Sequence, residues 1–302
     1  MNAVTVLDGG MGKELRRIGA PFRQPEWSSL ALTEAPEFVA QAHRNFVDAG
    51  AEVIVTNNYA VVPYHHPAGL TVDRLRTLTA TAGRIAREVA DASGRDVKVA
   101  GSLPPLFGSY EPEQFDPVEG APLYAEIVRA LDPYVDVWLG ETLSCTIEMT
   151  VQAQAIAHRA SGQPVWMSFC LPDHWPDDQV TLHSGEAPHD IVRGSLDAAV
   201  DVEALLFNCS LPEQTGPALS ALRDALDAAG ARCRTGGYAN AFPTARDDGY
   251  AANEVLFERR DELTAERYAD DVAGWVADGA SIVGGCCDMY PEHIAALAER
   301  FR

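Results

Sequence analysis

The segment SIVGGCC, residues 281–287, joins a short β-prone apolar run to two glycines and two adjacent cysteines. Its first four residues are the last of eight runs of one kind. The others are VTVL (4–7), EVIVT (52–56), VKVAG (97–101), VDVWL (135–139), VWMSF (165–169), EALLF (203–207) and ARCRT (231–235). The seventh is the least apolar, with two arginines. Between these runs lie longer stretches, such as 35–50, 72–92 and 264–279, whose apolar residues recur three and four apart, as one helix face requires. Eight strands alternating with helices in 302 residues predict an α/β chain folded as one (β/α)8 TIM barrel domain over residues 1–302. An open doubly wound sheet is the alternative. LDGGMG (7–12) does put glycines after the first strand, but without the GxGxxG spacing of a dinucleotide site.

In a barrel the chain segments that follow the strands gather on one face. Cys209 follows the sixth strand, in LLFNCS, and Cys286 and Cys287 follow the eighth. The topology therefore brings three distant cysteines to one mouth. Neighbouring residues on a regular strand point to opposite faces, so both members of the tandem pair face one point only where the backbone leaves the strand. Gly284 and Gly285 are expected to allow that departure. Three thiolates around one cation suit zinc, and three protein ligands leave a fourth position for a ligand. A redox role for the vicinal pair is the competing reading. Cys145, Cys170 and Cys233 read as small buried residues.

The composition narrows the remaining classes. A net charge of −21 and a pI near 4.6 repel nucleic acid. No run of apolar residues is long enough to span a membrane, and the N-terminus lacks the pattern of a signal peptide, so a cytoplasmic protein is expected. Six cysteines without an export signal favour metal or thiol chemistry over a disulfide framework. Lysine occurs only at positions 13 and 98. The eight histidines show no HxxxH or HExxH spacing and are expected in loops or on the surface. The long segments 101–117 and 171–190 follow strands three and five and are expected to build the active face.

Several of these segments together resemble the homocysteine S-methyltransferase family, nearly end to end. They are LDGGMGKEL (7–15), EWSSLALTEAPEFV (26–39), HRNFVDAGAEVIVTNNY (43–59), GSLPP (101–105), ETLS (141–144), VWMSF (165–169), NCS (208–210) and GGCCDMYPEHI (284–294). The resemblance implies Zn2+ held by Cys209, Cys286 and Cys287, with homocysteine as methyl acceptor. It implies that Asp8 and Glu141 hold the substrate ammonium, with Gly9 and Gly10 offering backbone N–H groups nearby. Asp8 as a turn residue and Glu141 as a solvated loop residue are the alternatives. Thr56 and Asn57 would begin the loop after strand two, chiefly as hydrogen-bonding residues with substrate contact second. Chain segments on the rim depart from the family pattern at Asn58, Ala239 and Asp288–Tyr290.

A free thiol has a pKa of about 8.5, and binding to zinc removes its proton. No general base is then required, and no catalytic side chain is assigned beyond the activated thiol. One barrel uses the whole chain, so the methyl donor enters the same mouth. A sulfonium such as S-methylmethionine or S-adenosylmethionine is expected, with betaine second. Aromatic faces suit such cations. Trp27 and Tyr59 lie in the matching motifs, while Phe107, Tyr110, Trp175, Tyr238 and Phe242 are expected in loops, where packing is their alternative role. Another small thiol or selenol as acceptor, or a non-catalytic metal- or amino-acid-binding redox sensor, are the competing functions. No membrane partner is expected, and the chain is expected as a monomer or homodimer.

Overall fold

The computed structural model describes residues 3–158, 162–175, 177, 179–243 and 259–302. Its strands are β1 (Thr5–Val6), β2 (Val53–Val55), β3 (Lys98–Leu103), β4 (Val137–Leu143), β5 (Val165–Phe169), β6 (Val202–Asn208), β7 (Arg234–Ala239) and β8 (Ile282–Gly285). They form one parallel sheet in the order β1-β8-β7-β6-β5-β4-β3-β2. The seam between β1 and β2 is sealed by a single bridge, Leu7 to Val53, by the Asp8 N–H donating to the Val53 carbonyl at 3.0 Å, and by the Glu52 N–H donating to the Val6 carbonyl at 2.7 Å. The result is a (β/α)8 TIM barrel.

The helices are α1 (Met11–Arg17), α2 (Ser29–Glu34), α3 (Pro36–Ala49), α4 (Val72–Ala92), α5 (Pro117–Leu131), α6 (Thr146–Ala157), α7 (Pro188–Leu196), α8 (Pro212–Ala229), α9 (Ala265–Ala277) and α10 (Pro291–Phe301). Their ends are written in the sequence. Five begin on proline, where a missing N–H costs nothing. Thr71, Asp116 and Thr264 accept hydrogen bonds from the first-turn amides of α4, α5 and α9. Gly50 and Gly230 end α3 and α8 in the left-handed conformation.

Two apolar layers follow from strand alternation. Leu7, Val53, Val137, Leu139, Leu206 and Ile282 belong to a cluster of strand residues that fills the barrel. A larger cluster packs strand residues such as Val99, Trp138, Met167 and Phe207 against the helices. The seventh strand is a correction to the expectation at 231–235. It starts three residues later, at Arg234, and includes Gly236 and Gly237, so a search for apolar β-formers misses it. Its arginine has a structural use. Arg234 stacks over Trp166 and hydrogen-bonds Thr5 and Ser281, which ties β7 to the starts of β1 and β8. A Cβ on Gly236 would meet the Ile282 carbonyl oxygen at 1.9 Å. Gly236→Ala is therefore expected to force β7 from β8 and cost about 3 kcal/mol, read as a lower urea midpoint at unchanged slope.

The histidine expectation is corrected at two positions. His43, in α3, and His293, in α10, are fully buried, whereas His65 and His66 lie, nearly buried, in the segment between β2 and α4 as expected of loop residues. Burial without a charged partner pushes the His43 pKa down to about 3, so it packs as a neutral ring. Among the described residues no helix is long and apolar enough to cross a membrane.

Candidate active site

The three cysteines meet. The sulfurs of Cys209, Cys286 and Cys287 lie within 4.8 Å of one another, with Cys209 and Cys287 at 3.7 Å. Cys209 follows β6 directly and takes a left-handed φ of 48°. Its N–H still reaches the Tyr238 carbonyl at 3.2 Å, so the residue turns inward while the ladder continues. The Cys286 N–H extends the β7–β8 ladder to Ala239, and the chain then reverses, with the Met289 N–H donating to the Cys286 carbonyl. Asp288, at φ 62°, makes that turn possible. Gly284 and Gly285 are not where the backbone leaves the strand, as was expected of them, since both belong to β8 and neither has a left-handed φ. They are strand residues that leave space, since a Cβ would meet Leu7 at one and Met289 at the other, at 2.7 and 2.4 Å. Gly10 plays the same part across the mouth. A Cβ there would strike the Cys286 carbonyl oxygen at 2.5 Å, and its N–H donates to the Met289 carbonyl.

One cavity joins this cluster to Asp8 and Glu141. Asp8 follows β1, is 3% exposed, and accepts the Val55 N–H at 2.9 Å through one carboxylate oxygen. Glu141, 8% exposed, lies within β4 rather than at a loop start, and Ser102 donates a short hydrogen bond to it. Burial raises both carboxyls, Asp8 well above its usual range despite the Val55 amide, and Glu141 to about 7. Two desolvated acids beside each other are ready for a cation.

Gly9, Gly10, Thr56, Asn57, Trp27 and Tyr59 line the same cavity. Thr56 accepts the Ser102 N–H and donates to Asn58, and Asn57 donates to the Ser28 carbonyl, so both hold the loop in shape. Tyr110 and Phe242 also line it. Tyr238 does too, but from β7 rather than from a loop. Phe107 packs on Phe115, and Trp175 donates to the Thr181 carbonyl; both stand away from the cavity. The Tyr110 hydroxyl donates to the Cys209 sulfur at 3.0 Å, and the Tyr59 hydroxyl pairs with Ser109 at 2.7 Å.

Sequence reasoning missed Lys13, Phe22, His65 and Thr142 on the cavity wall. It also missed Asn208, which precedes Cys209. Its side chain accepts the Thr142 N–H at 2.8 Å and the Ser168 hydroxyl at 2.7 Å, and donates to the Thr142 hydroxyl at 2.9 Å. Asn208 thereby fastens the strand of Glu141 to the strand of Cys209. Its place before a candidate ligand in NCS was the available signal. Backbone strain marks the same region. Of the five non-glycine residues with left-handed φ among the described residues, Trp27, Tyr110, Thr142 and Cys209 line the cavity and Asp288 adjoins Cys287.

A TIM barrel whose mouth gathers three thiols and two buried carboxylates defines an enzyme-like site, with acids suited to a cation and thiols that could hold a thiophilic metal. The sequence model of the homocysteine S-methyltransferase family matches residues 5–301, and the chain belongs to that family of methyltransferases. It is 28% identical to the homocysteine S-methyltransferase of Escherichia coli (strain K12), over 98% of this chain and 95% of that one. A selenocysteine methyltransferase of Astragalus bisulcatus is 24% identical, over 97% of this chain and 90% of that one. The metallated form of the Escherichia coli homocysteine methyltransferase MmuM superposes with a TM-score of 0.78 at 27% identity, covering 99% of this chain and 96% of that one.

Proposed function

We propose that this chain, as a single barrel domain over residues 1–302, transfers a methyl group from a sulfonium donor to the thiol of homocysteine, giving methionine. S-methylmethionine and S-adenosylmethionine are the donors of choice, and Zn2+ is the metal. The observation that supports this most is the convergence of Cys209, Cys286 and Cys287 with Asp8 and Glu141 on one cavity. The donor set fits the ion. Four sulfurs at about 2.3 Å from a tetrahedral centre lie about 3.8 Å apart, close to the 3.7 Å between Cys209 and Cys287. Zn2+ held there by Cys209, Cys286 and Cys287 would supply the Lewis acidity that lowers the pKa of the incoming thiol, whose proton would pass to solvent.

The protein's own groups do the rest. Asp8 and Glu141 bind the homocysteine ammonium, and the Gly9–Gly10 turn brings backbone close to the amino acid. Tyr110 restrains Cys209 through its hydroxyl. Trp27, Tyr59 and Phe242 offer ring faces and edges to the donor cation. Within that wall the homocysteine sulfur attacks the donor methyl in line. The new sulfur–carbon bond forms as the old one breaks, and its electron pair returns to the donor sulfur. A thiolate and a sulfonium become two neutral thioethers, so alignment is the main task.

The test is methyl transfer by purified, Zn2+-loaded protein offered homocysteine with S-methylmethionine, S-adenosylmethionine or betaine in turn. Methionine is expected from a sulfonium donor and not from betaine. Methylation of selenocysteine but not homocysteine would shift the acceptor to the selenol handled by the Astragalus relative, and transfer to neither would refute the assignment.

A further inference from the structure

Among the described residues Lys13 is the one lysine or arginine on the cavity wall, and it stands five positions after Asp8 in the same β1–α1 segment. The chain's other lysine, Lys98, is half exposed beside Asp96. The Lys13 ammonium lies 3.0 Å from an Asp288 carboxylate oxygen, and the two side chains are 10% and 2% exposed. Tyr290 donates to the other Asp288 oxygen at 3.1 Å. Asp288 is thus fixed on one side by Tyr290 and on the other by Lys13, directly after Cys287. A buried ion pair is a poor source of stability compared with apolar packing, so a pair opening onto a ligand cavity invites a functional explanation. An ammonium has three donors, and pairing with Asp288 is compatible with a second acceptor. An amino acid whose ammonium meets Asp8 and Glu141 presents a carboxylate one carbon away, in the repulsive field of those two acids. A cation on the same wall offsets that repulsion.

The geometry points to Lys13 as the residue that recognises the carboxylate of the amino-acid ligand, with Asp288 as its positioning partner. The preferred ligands are then sulfur amino acids with a free carboxylate, and the corresponding aminothiols and thioether amines are rejected. This specificity presupposes the homocysteine site proposed above.

Metal-free, reduced protein titrated calorimetrically with methionine and with 3-(methylthio)propylamine, its decarboxylated counterpart, tests the assignment. Wild type is expected to favour methionine by about tenfold or more. Lys13→Met alone leaves Asp288 buried without its cation, so the double variant Lys13→Met/Asp288→Asn, which removes both charges, is measured beside it. The double variant is expected to bind the amine as wild type does and to lose the preference for methionine, to within about threefold, while Lys13→Arg retains most of it. A preference that survives in the double variant, or that is absent in wild type, overturns the role of Lys13 alone. Wild type that binds neither ligand overturns the amino-acid site with it.

Discussion

Cys286→Ser is expected to release the metal and to lower methyl transfer by more than about a hundredfold, beyond the range found when only a partner of a metal ligand is lost. The reason is the donor set. Cys209, Cys286 and Cys287 are the one group of three or more such ligand side chains gathered at metal-binding distance among the described residues, so no neighbouring ligand stands in for a lost thiolate. Cys209→Ser should behave alike, although its sulfur arrives from β6 and the tandem pair from β8. Cys233→Ser is the control. Its thiol contacts the Val202 and Glu203 carbonyls at the start of β6, and burial pushes its pKa up to about 12, so it is an inert neutral group. Metal content by atomic emission, measured beside turnover, checks both. Equal metal loss from Cys286→Ser and Cys233→Ser would remove the ligand assignment.

Glu141→Gln should weaken homocysteine or methionine binding by roughly a hundredfold, about 3 kcal/mol, as expected when one member of a buried charge pair is truncated. Asp8→Asn should act in the same direction. The pH dependence separates charge from shape. Burial raises Glu141 to about 7, so the ligand-free acid is about half protonated near neutrality. The ammonium requires the carboxylate, and affinity should therefore rise as pH increases through 7 and level off above it. The sign for folding is opposite. A carboxyl raised in the folded state favours folding below its unfolded pKa, and that contribution fades as pH rises through about 7. Glu141→Gln should flatten the binding profile in this window. Calorimetric titration of metal-free protein with methionine between pH 6 and 8 is the measurement.

The barrel was legible because seven of the eight strands are apolar runs that sequence patterning detects. The exception, β7, is built on Gly236, Gly237 and Arg234, whose reasons are a close approach to Ile282 and a cluster below Trp166. Neither is visible before the neighbouring strands are in place. The cysteines were legible because topology alone sends chain segments after parallel strands to one mouth. Lys13 and Asn208 were not. The first is explained by Asp288, 275 positions away, and the second by Thr142 and Ser168. Glu141 was found for its motif but misplaced, since β4 runs on to Leu143 where apolar patterning stops at Leu139. The buried histidines were misplaced because spacing tests for ligands say nothing about how a neutral ring packs.

Asp8 has one oxygen committed to the Val55 amide, while its own N–H reaches Val53 across the β1–β2 seam. The acid proposed to grip the ligand is therefore also a keystone. Any change at position 8 that removes the side-chain acceptor of the Val55 amide loosens the joint at which the sheet closes on itself. Divergence of substrate choice in this lineage should accordingly proceed through the aromatic wall and the rim, leaving position 8 frozen by architecture as much as by chemistry.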